Sequence, residues 1–362
     1  MKKEWPLISV IIPAYNLPDY TRKTLHSIVE QEYRPIEILI SDDCSPISLE
    51  PLVEEFRMFE SNNFYIKYFR QTKNLRHDNM TFLFDRCTGK YFCNIQHDDW
   101  WIDKNFLFEA VKLMEDYPDC HMCVANSEIE GTNGQTMINL GGKLNTGGKW
   151  RVIEGDVYMK LFGANGIGFQ ARSGIVIDVL AARSFEILRY PYNISESLAK
   201  ELSIMSDDGF SFQFLLSSIG SIAITEKVVG VRGMPSTSYS KALGWDKFEG
   251  QALFIIYYNL YRSDMKGKYA TKVKQRAKEF IFHFPVEKLN RKILKHFNYS
   301  LEVVWLMSLS YLLYIFRWPV YFINFFRRIF YRIWTESPIK VFRDIQNKFK
   351  ERGLLRSLFP TK

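Results

Sequence analysis

Residues 7–13 read LISVIIP, a nearly continuous apolar run rich in β-branched residues. Such a run indicates a strand that is buried on both faces. Outward from it, short apolar runs alternate with amphipathic stretches up to residue 100, a pattern that predicts a parallel sheet wound with helices. The further predicted strands are Ile36–Ser41, Tyr65–Phe69 and Lys90–Gln96. Helices are predicted behind a capping Asp19, over residues 49–59 and over Asn79–Cys87.

Two acidic pairs follow predicted strands directly. Asp42 and Asp43 close the second strand, and Asp98 and Asp99 follow the fourth. Open α/β sheets bind ligands beyond the carboxyl ends of their strands, so both pairs are expected at one rim. Adjacent carboxylates repel each other, and a divalent ion that also binds the oxygens of a diphosphate relieves this cost. The alternative for the second pair is a turn that introduces a helix at Asp103.

Three more acidic residues allow a chemical and a structural interpretation. Asp43, in SDDCSP, can accept hydrogen bonds from a nucleobase through two oxygens, or it can close an Asx turn. Asp207 and Asp208, in SIMSDDGFSFQFLL, are candidates for a general base that takes a proton from an acceptor hydroxyl. The alternative for this third pair is a helix N-terminus, where acidic residues suit the helix dipole.

Composition excludes a disordered chain, because 47% of the 362 residues are hydrophobic and 16% are aromatic. The formal net charge of +8 is confined to the C-terminal end. Residues 317–362 hold eleven Lys and Arg against three Asp and Glu, which leaves 37 basic and 37 acidic residues in the rest of the chain. The body is therefore neutral, and nucleic-acid binding is not expected.

The five cysteines are an odd number, and the sequence begins MKKEWPLISV without a signal peptide, which favours a reducing cytoplasm. Cys120 and Cys123 could form half of a zinc site, but a second cysteine pair at a suitable spacing is missing. If this segment is a strand, side-chain alternation predicts that the two sulfurs point to opposite faces.

Four segments occur in the order SVIIPAYN, ISDDCS, NLRHDN and TGKYFCNIQHDDWWIDKNF, and together they resemble the nucleotide-binding half of family 2 glycosyltransferases of the GT-A fold. The resemblance spans residue 7 to about 125 and continues more weakly over about 150–240. It implies an α/β fold with a Rossmann-like wound mixed sheet over residues 1–240. Within it, residues 1–100 would form the nucleotide-sugar half and residues 101–240 the acceptor half.

The activity that the resemblance implies is the transfer of a sugar from a nucleotide-sugar donor, with UDP as the expected carrier. The enzyme would depend on Mn²⁺ or Mg²⁺ and would invert the configuration of the sugar. The acceptor would be a saccharide or a lipid-linked molecule in the synthesis of a surface polysaccharide or glycolipid.

The resemblance also assigns individual residues. Pro13, Ala14 and Tyr15 look like the loop over the base and ribose, and Asp43 resembles the base-binding aspartate. Asn79 matches an asparagine of the nearest subfamily pattern and is placed with the donor-binding residues. Asp98 and Asp99 match the DxD-like metal motif, and Asp98 is also expected at the donor. Asp208 resembles the catalytic aspartate, with Asp207 as its rival.

Three departures from the family pattern bear on activity. Gln96 stands two residues before Asp98, where the family commonly has an acid. Met234 stands where many relatives have a histidine that can bind metal, and the spacing from Asp208 to Gly220 is one residue longer than expected. The alternative hypothesis is therefore a catalytically degenerate nucleotide-sugar-binding or scaffold protein of the same fold.

The C-terminal third has no named motif. Residues 241–300 are predicted to be a helical extension, and residues 301–362 an aromatic, basic tail. Val303–Phe316 is uncharged but shorter than the about 20 residues that span a bilayer. We expect residues 303–356 to associate with the inner face of the cell membrane as a peripheral or monotopic segment. The alternatives are a span over Val303–Phe326 and burial against the catalytic domain or a second subunit, as in a homo-oligomer.

Overall fold

The computed structural model describes residues 4–75, 78–136, 147–155, 157–158, 174–183, 216–217 and 219–236. They all lie in the first of the two units into which the chain divides, Met1–Tyr299 and Ser300–Lys362. Asp207, Asp208, the predicted helical extension and the predicted membrane-associating tail lie outside the described residues, so these interpretations and the domain boundaries drawn there stay predictions. None of the described helices is long and apolar enough to cross a membrane.

The described part of the chain contains nine β-strands and five α-helices. The strands are β1 (Ile8–Ala14), β2 (Ile36–Asp42), β3 (Phe64–Arg70), β4 (Tyr91–Asn94), β5 (Trp100–Trp101), β6 (Cys120–Ile129), β7 (Arg151–Glu154), β8 (Ile175–Asp178) and β9 (Ser221–Arg232). The helices are α1 (Pro18–Val29), α2 (Glu50–Phe56), α3 (Asp78–Phe84), α4 (Phe106–Asp116) and α5 (Val179–Arg183), and the 3₁₀ turn Arg57–Phe59 follows α2.

These strands form one mixed sheet in the order β3-β2-β1-β4-β8-β6-β9-β5, and β7 pairs with β9. Strands β1 to β4 are parallel, whereas β8 runs antiparallel to both β4 and β6. Strand β9 is parallel to β6. The antiparallel pairings of β4 with β8 and of β8 with β6 reverse the strand direction twice, so β6 runs the same way as β4. Six strands therefore end at one rim, namely β1, β2, β3, β4, β6 and β9. The predicted α/β fold with a wound mixed sheet is confirmed.

The centre of the sheet is buried on both faces. All seven residues of β2 are buried, as are six of the seven in β1. Val10 belongs to the large apolar cluster that includes Leu25 and Ile28 of α1. Its strand neighbour Ile11 points to the opposite face, and α3 packs against β1 and β2. Such two-sided burial explains why the first strand reads as an apolar run without alternation.

Two local predictions are wrong. Helix α1 begins at Pro18, with Leu17 at the N-cap position and no side-chain capping bond, so Asp19 lies inside the first turn. A carboxylate there still interacts favourably with the helix dipole. The polar and glycine-rich composition of residues 127–150 predicts a loop, but β6 continues to Ile129 and its last three residues pair with β9. Residues 137–146 of that segment lie outside the described residues.

The prediction for Cys120 and Cys123 is also wrong. Strand β6 has a register shift between Cys120 and Met122, as in a β-bulge. One extra residue reverses the alternation of side chains, so two cysteines three positions apart reach the same face. Both cysteines belong to the same buried apolar cluster, and all five cysteines are free.

Candidate functional site

The shared rim of the sheet collects the chain segments that leave β1, β2, β4, β6 and β9. Strand β1 ends with Pro13 and Ala14, which together with Tyr15 form the segment that we call the Pro13–Tyr15 loop. Strand β2 ends at Asp42, and β9 leads into Gly233. The pair Asp98–Asp99 follows β4 after a short turn, in which the Asp99 N–H donates to the Gln96 carbonyl at 3.0 Å. The fold therefore brings both acidic pairs to one edge, because parallel strands end on the same side.

Asp42 is an internal residue. Its carboxylate is fully buried and accepts hydrogen bonds from the backbone N–H groups of Ser45 and Leu49, at 2.8 and 3.1 Å. The Tyr68 hydroxyl donates to it at 2.9 Å, and the Arg70 guanidinium donates at 2.8 Å. Burial by itself raises the pKa of Asp42, but the hydrogen bonds from Ser45, Leu49 and Tyr68 outweigh it and hold the pKa below its usual value. The turn role weighed for its neighbour therefore belongs to Asp42.

Asp43 lies between two segments of the rim. Its backbone N–H donates to the Ala14 carbonyl at 2.7 Å, and its carboxylate accepts the Leu75 N–H at 2.6 Å. The side chain is 5% exposed. Asp43 thus joins the end of β1 to the segment after β3.

The loop Pro13–Tyr15 is held through its backbone. The Pro13 carbonyl accepts a hydrogen bond from Nδ1 of His97 at 3.2 Å, and the next residue, Asn16, donates its N–H to the Ser45 hydroxyl at 2.8 Å. Asn16 has a positive φ of 57°, which turns the chain sharply into α1. The Tyr15 side chain is 44% exposed. The loop therefore presents an aromatic ring on a fixed backbone.

Asn79 is buried in α3 and makes both of its amide contacts with Ser41. The Ser41 hydroxyl donates to Asn79 Oδ1 at 2.5 Å, and Asn79 Nδ2 donates to the Ser41 carbonyl at 3.1 Å. Gln71 Nε2 also donates to the Ser41 hydroxyl at 2.9 Å. Asn79 therefore supports the end of β2, immediately before the first acidic pair.

Asp98 and Asp99 differ in their surroundings. Asp99 is 4% exposed, and its Oδ1 accepts the backbone N–H of Gly233 at 3.1 Å. The Thr24 hydroxyl donates to the Asp99 carbonyl at 2.6 Å. Asp98 is half-buried, and its carboxylate has no hydrogen bond to a described residue. Asp98 is thus the more accessible carboxylate of this pair, and Asp99 is the one that is built into the fold.

Gly233 lies directly against the turn that carries Asp98 and Asp99, which we call the acidic turn. A Cβ atom at this position would lie 1.8 Å from the Asp98 carbonyl oxygen, so any larger residue would displace the turn. Sequence reasoning weighed Met234 in this segment and missed Gly233. Its role depends on the pairing of β9 with β5, which follows the acidic pair directly, and sequence spacing carries no signal of that pairing.

Glu130 is a second residue that sequence reasoning missed. It follows β6, and its Oε2 accepts hydrogen bonds from the Tyr20 hydroxyl and from the Met234 N–H, both at 2.9 Å. Lys23 Nζ lies 3.9 Å from Glu130 Oε1 and 4.7 Å from the Trp100 ring centroid. Burial raises the pKa of Tyr20, and the carboxylates of Glu130 and Asp98 raise it further. This cluster fixes the segment after β9 to α1.

The acidic turn fits a hard divalent ion only together with ligand oxygens. The described residues hold no group of three or more His, Cys, Asp or Glu side chains that could bind a metal by themselves. Mg²⁺ commonly binds one or two carboxylates and completes its shell with phosphate oxygens and water. Asp98 and Asp99 match that arrangement, with Asp98 as the more accessible ligand.

The family model for glycosyl transferase family 2 matches residues 9–173. TuaG of Bacillus subtilis, assigned to teichuronic acid biosynthesis as a glycosyltransferase, is 29% identical over 96 residues, which cover 26% of this chain and 37% of TuaG. The glycosyltransferase GlyA of Streptococcus pneumoniae is 31% identical over 110 residues, which cover 30% of this chain and 15% of GlyA. The match thus spans about a third or less of these relatives.

Solved structures show the same fold at low sequence identity. TarS residues 1–349 of S. aureus, in complex with UDP-GlcNAc, matches with a TM-score of 0.52 and 14% identity, over 84% of this chain and 79% of that chain. The mannosyltransferase PcManGT of Pyrobaculum calidifontis, in complex with GDP-Man and Mn²⁺, matches with a TM-score of 0.50 and 15% identity, over 100% and 92% of the chains. Residues 9–173 thus resemble glycosyl transferase family 2, and the mixed sheet has the fold of these solved transferases.

Proposed function

We propose that this protein transfers a sugar from a nucleotide-sugar donor to a saccharide or lipid-linked acceptor. The observation that carries the proposal is the Asp98 carboxylate, which is half-buried and has no hydrogen bond to a described residue, beside a firmly bound Asp99. At the ligand-binding rim of a wound sheet, a half-buried carboxylate without a hydrogen bond to a described residue is a suitable place for a cation on a bound ligand.

The donor nucleotide lies on the β1–β2 side of the rim in this proposal. Asp43 accepts hydrogen bonds from the base, and the exposed Tyr15 ring covers the base or ribose, which suits the affinity of aromatic faces for planar rings. Pro13 and Ala14 shape this loop, and Asn79 acts indirectly by holding the end of β2. UDP is the proposed carrier, in line with the UDP-GlcNAc in the TarS complex.

The diphosphate lies next to Asp98 and Asp99. A Mn²⁺ or Mg²⁺ ion bound there with the phosphate oxygens would stabilise the charge of the departing nucleoside diphosphate. Support comes from the fit of the two carboxylates and from the Mn²⁺ in the PcManGT complex. Asp99 keeps its bond to Gly233 and so orients the turn, while Asp98 provides the accessible oxygens.

The acceptor side of the proposal rests on sequence. Asp208, or Asp207 beside it, takes the proton from the acceptor hydroxyl as it attacks the donor with inversion. The name of TuaG, which refers to teichuronic acid biosynthesis, supports a surface polysaccharide as the product. Residues 303–356 hold the enzyme at the cytoplasmic face of the cell membrane, near a lipid-linked acceptor.

The metal role is tested with Asp98→Asn. Thermal shift with UDP-glucose, UDP-GlcNAc and GDP-mannose, each with Mn²⁺ and with EDTA, identifies the donor that stabilises the wild type. Release of nucleoside diphosphate from that donor is then measured. We expect Asp98→Asn to lose at least about 100-fold in turnover, the size typical of removing one preorganised charge-stabilising group. Asp116→Asn, on the surface of α4, is the matched control, and turnover in Asp98→Asn equal to it would reject the metal role.

The base is tested by comparing Asp208→Asn with Asp207→Asn. We expect Asp208→Asn to bind the donor nucleotide with unchanged affinity and to lose turnover. The same pattern in Asp207→Asn alone would move the base by one residue. Nucleotide binding by the wild type without any turnover would favour a degenerate binding protein, to which the departures at Gln96 and Met234 point.

Membrane association is tested by flotation of the full chain with vesicles that contain anionic phospholipid. We expect the wild type to float and a variant with Arg327 and Arg328 both changed to Glu to float less, because basic residues near the surface bind anionic lipid. A wild type that stays at the bottom of the gradient and forms dimers in solution would favour the oligomer alternative.

A further inference from the structure

The two loops that make up the donor side of the rim separate from each other before they reach the site. Strands β1 and β4 pair up to Ile11 and Asn94, and the Ile95 N–H still donates to the Ile11 carbonyl at 3.1 Å. Beyond this point the next residues on β1 include Pro13, which has no N–H to donate. The Pro13–Tyr15 loop and the Asp98–Asp99 turn therefore continue without ladder hydrogen bonds between them among the described contacts.

The His97 side chain joins these two loops. His97 directly precedes Asp98 in the chain, and its Nδ1 lies 3.2 Å from the Pro13 carbonyl oxygen. A carbonyl can only accept, so Nδ1 must carry the hydrogen in this contact. Burial lowers the pKa of His97, although Asp98 and the carbonyls of Pro13 and Tyr15 oppose the shift. On the other side of the ring, Nε2 is buried without a hydrogen bond of good geometry to a described residue.

The backbone of His97 is itself fixed, so its ring is a spacer of set length. The Thr24 hydroxyl lies 3.1 Å from the His97 carbonyl oxygen and donates to the Asp99 carbonyl at 2.6 Å. Helix α1 thus holds the acidic turn from one side, and the His97 ring links it to Pro13 on the other. A change in the ring would shift the loop relative to Asp98 rather than shift both together.

We propose that His97 is a positioning residue that sets the distance between the Pro13–Tyr15 loop and Asp98. The inference rests on the proposed function, in which that loop covers the base and ribose and Asp98 holds the ion on the diphosphate. A nucleoside diphosphate then bridges both loops, and its affinity depends on their spacing only when the metal engages the phosphates. His97 is therefore expected to couple metal binding to nucleotide binding.

The test compares three substitutions that replace parts of the ring. Asparagine can place its Nδ2 donor near the position of Nδ1, glutamine places its amide nearer to Nε2, and alanine removes both. The dissociation constant of UDP is measured by calorimetry in Mn²⁺ and in EDTA, and the ratio of the two values is the readout. This ratio does not respond to a loss of folded protein, because only folded molecules bind.

We expect His97→Ala to reduce the Mn²⁺ enhancement of UDP binding roughly five- to tenfold, the size of one hydrogen bond. His97→Asn should restore most of the enhancement, and His97→Gln should not. His26→Ala, which removes an exposed histidine of α1, is the control and should match the wild type.

Two results would overturn the inference while leaving the proposed function standing. One is a wild-type enhancement in His97→Ala, and the other is an equal loss in the alanine and asparagine variants, which would indicate a packing role alone. Conversely, a wild type that binds UDP with Mn²⁺ enhancement but never turns over a donor would reject the proposed transfer and leave the role of His97 in binding intact. A wild type without metal enhancement would overturn the inference and the proposed metal role, whereas the transfer itself is judged by the turnover measurement.

Discussion

Asp42–Asp43 and Asp98–Asp99 are two acidic pairs at one rim, and they differ in how their carboxylates are hydrogen-bonded. In the first pair, the first residue is internal, with four donors on its carboxylate. In the second pair, the second residue is internal and accepts the Gly233 N–H, while Asp98 has no hydrogen bond to a described residue. Asp43 is also buried and accepts the Leu75 N–H, so of these four carboxylates only that of Asp98 is half-buried and without a hydrogen bond to a described residue.

The reason is where each strand ends. Asp42 is still part of β2 and pairs in register with Arg70 of β3, so the neighbouring strand supplies donors to it. Strand β4 ends at Asn94, and the turn that follows places Asp99 under Gly233 at the end of β9. In each pair, the residue that meets a neighbouring strand becomes internal.

Removal of the internal carboxylate of the first pair should have the largest effect on stability. Asp42→Ala leaves two backbone N–H groups and a tyrosine hydroxyl without their acceptor in a buried place. Each unsatisfied buried group costs about 1–3 kcal/mol, so we expect a loss of roughly 3 kcal/mol or more in the free energy of unfolding. Urea denaturation followed by circular dichroism measures this loss. A loss no larger than that of Asp98→Ala would contradict the assignment of Asp42 as the internal residue.

Gly233→Ala should disturb the second pair most. The added methyl would lie 1.8 Å from a backbone oxygen, which cannot move aside as a side-chain end can. We expect a cost of about 1–3 kcal/mol, typical of overpacking, and a loss of metal-enhanced UDP binding. Denaturation and calorimetry of the same variant report the two effects. Ser236→Ala, in the same segment but exposed, is the control, and equal behaviour of the two variants would show that Gly233 is not a contact of the acidic turn.

The internal carboxylate of the first pair should also make stability depend on acid pH. The pKa of Asp42 in the fold lies below its unfolded value of about 3.9. Such a group contributes stability that is fully present above the unfolded pKa and is lost as pH falls through the folded pKa. Glu37 has a lowered pKa too and contributes with the same sign. Urea midpoints between pH 2 and pH 7 should therefore fall on the acid side, and less steeply in Asp42→Asn. Parallel curves for the two proteins would reject this linkage.

The smallest expected effect is that of Asp98→Asn on stability. Because Asp98 has no hydrogen bond to a described residue, amidation should change the free energy of unfolding by no more than about 0.5 kcal/mol. Its turnover should nevertheless be lost. A loss of stability as large as that of Asp42→Ala would show that both pairs are structural and would remove the contrast between them.

Much of the fold on the donor side was predictable from local patterns. The predicted strand Ile36–Ser41 is observed as Ile36–Asp42, and Tyr65–Phe69 as Phe64–Arg70. The first of these segments is a short, fully buried and mostly apolar run, which is typical of a strand covered on both faces. The antiparallel β8 and the long pairing of β6 with β9 were not predicted, because pairing between distant segments has no periodic signal in the chain.

The sequence by itself determined the winding of the first four strands and the presence of an acidic pair after β2 and after β4. Apolar periodicity and chain direction suffice for that, since parallel strands must end at one rim. The tertiary structure decided that Asp98 is the more accessible carboxylate, and it alone brought Gly233 to Asp99, Glu130 to Met234 and the His97 ring to Pro13. Those contacts depend on distances between strands that are up to 134 residues apart, and the free energy of a buried carboxylate depends on the donors that such strands supply.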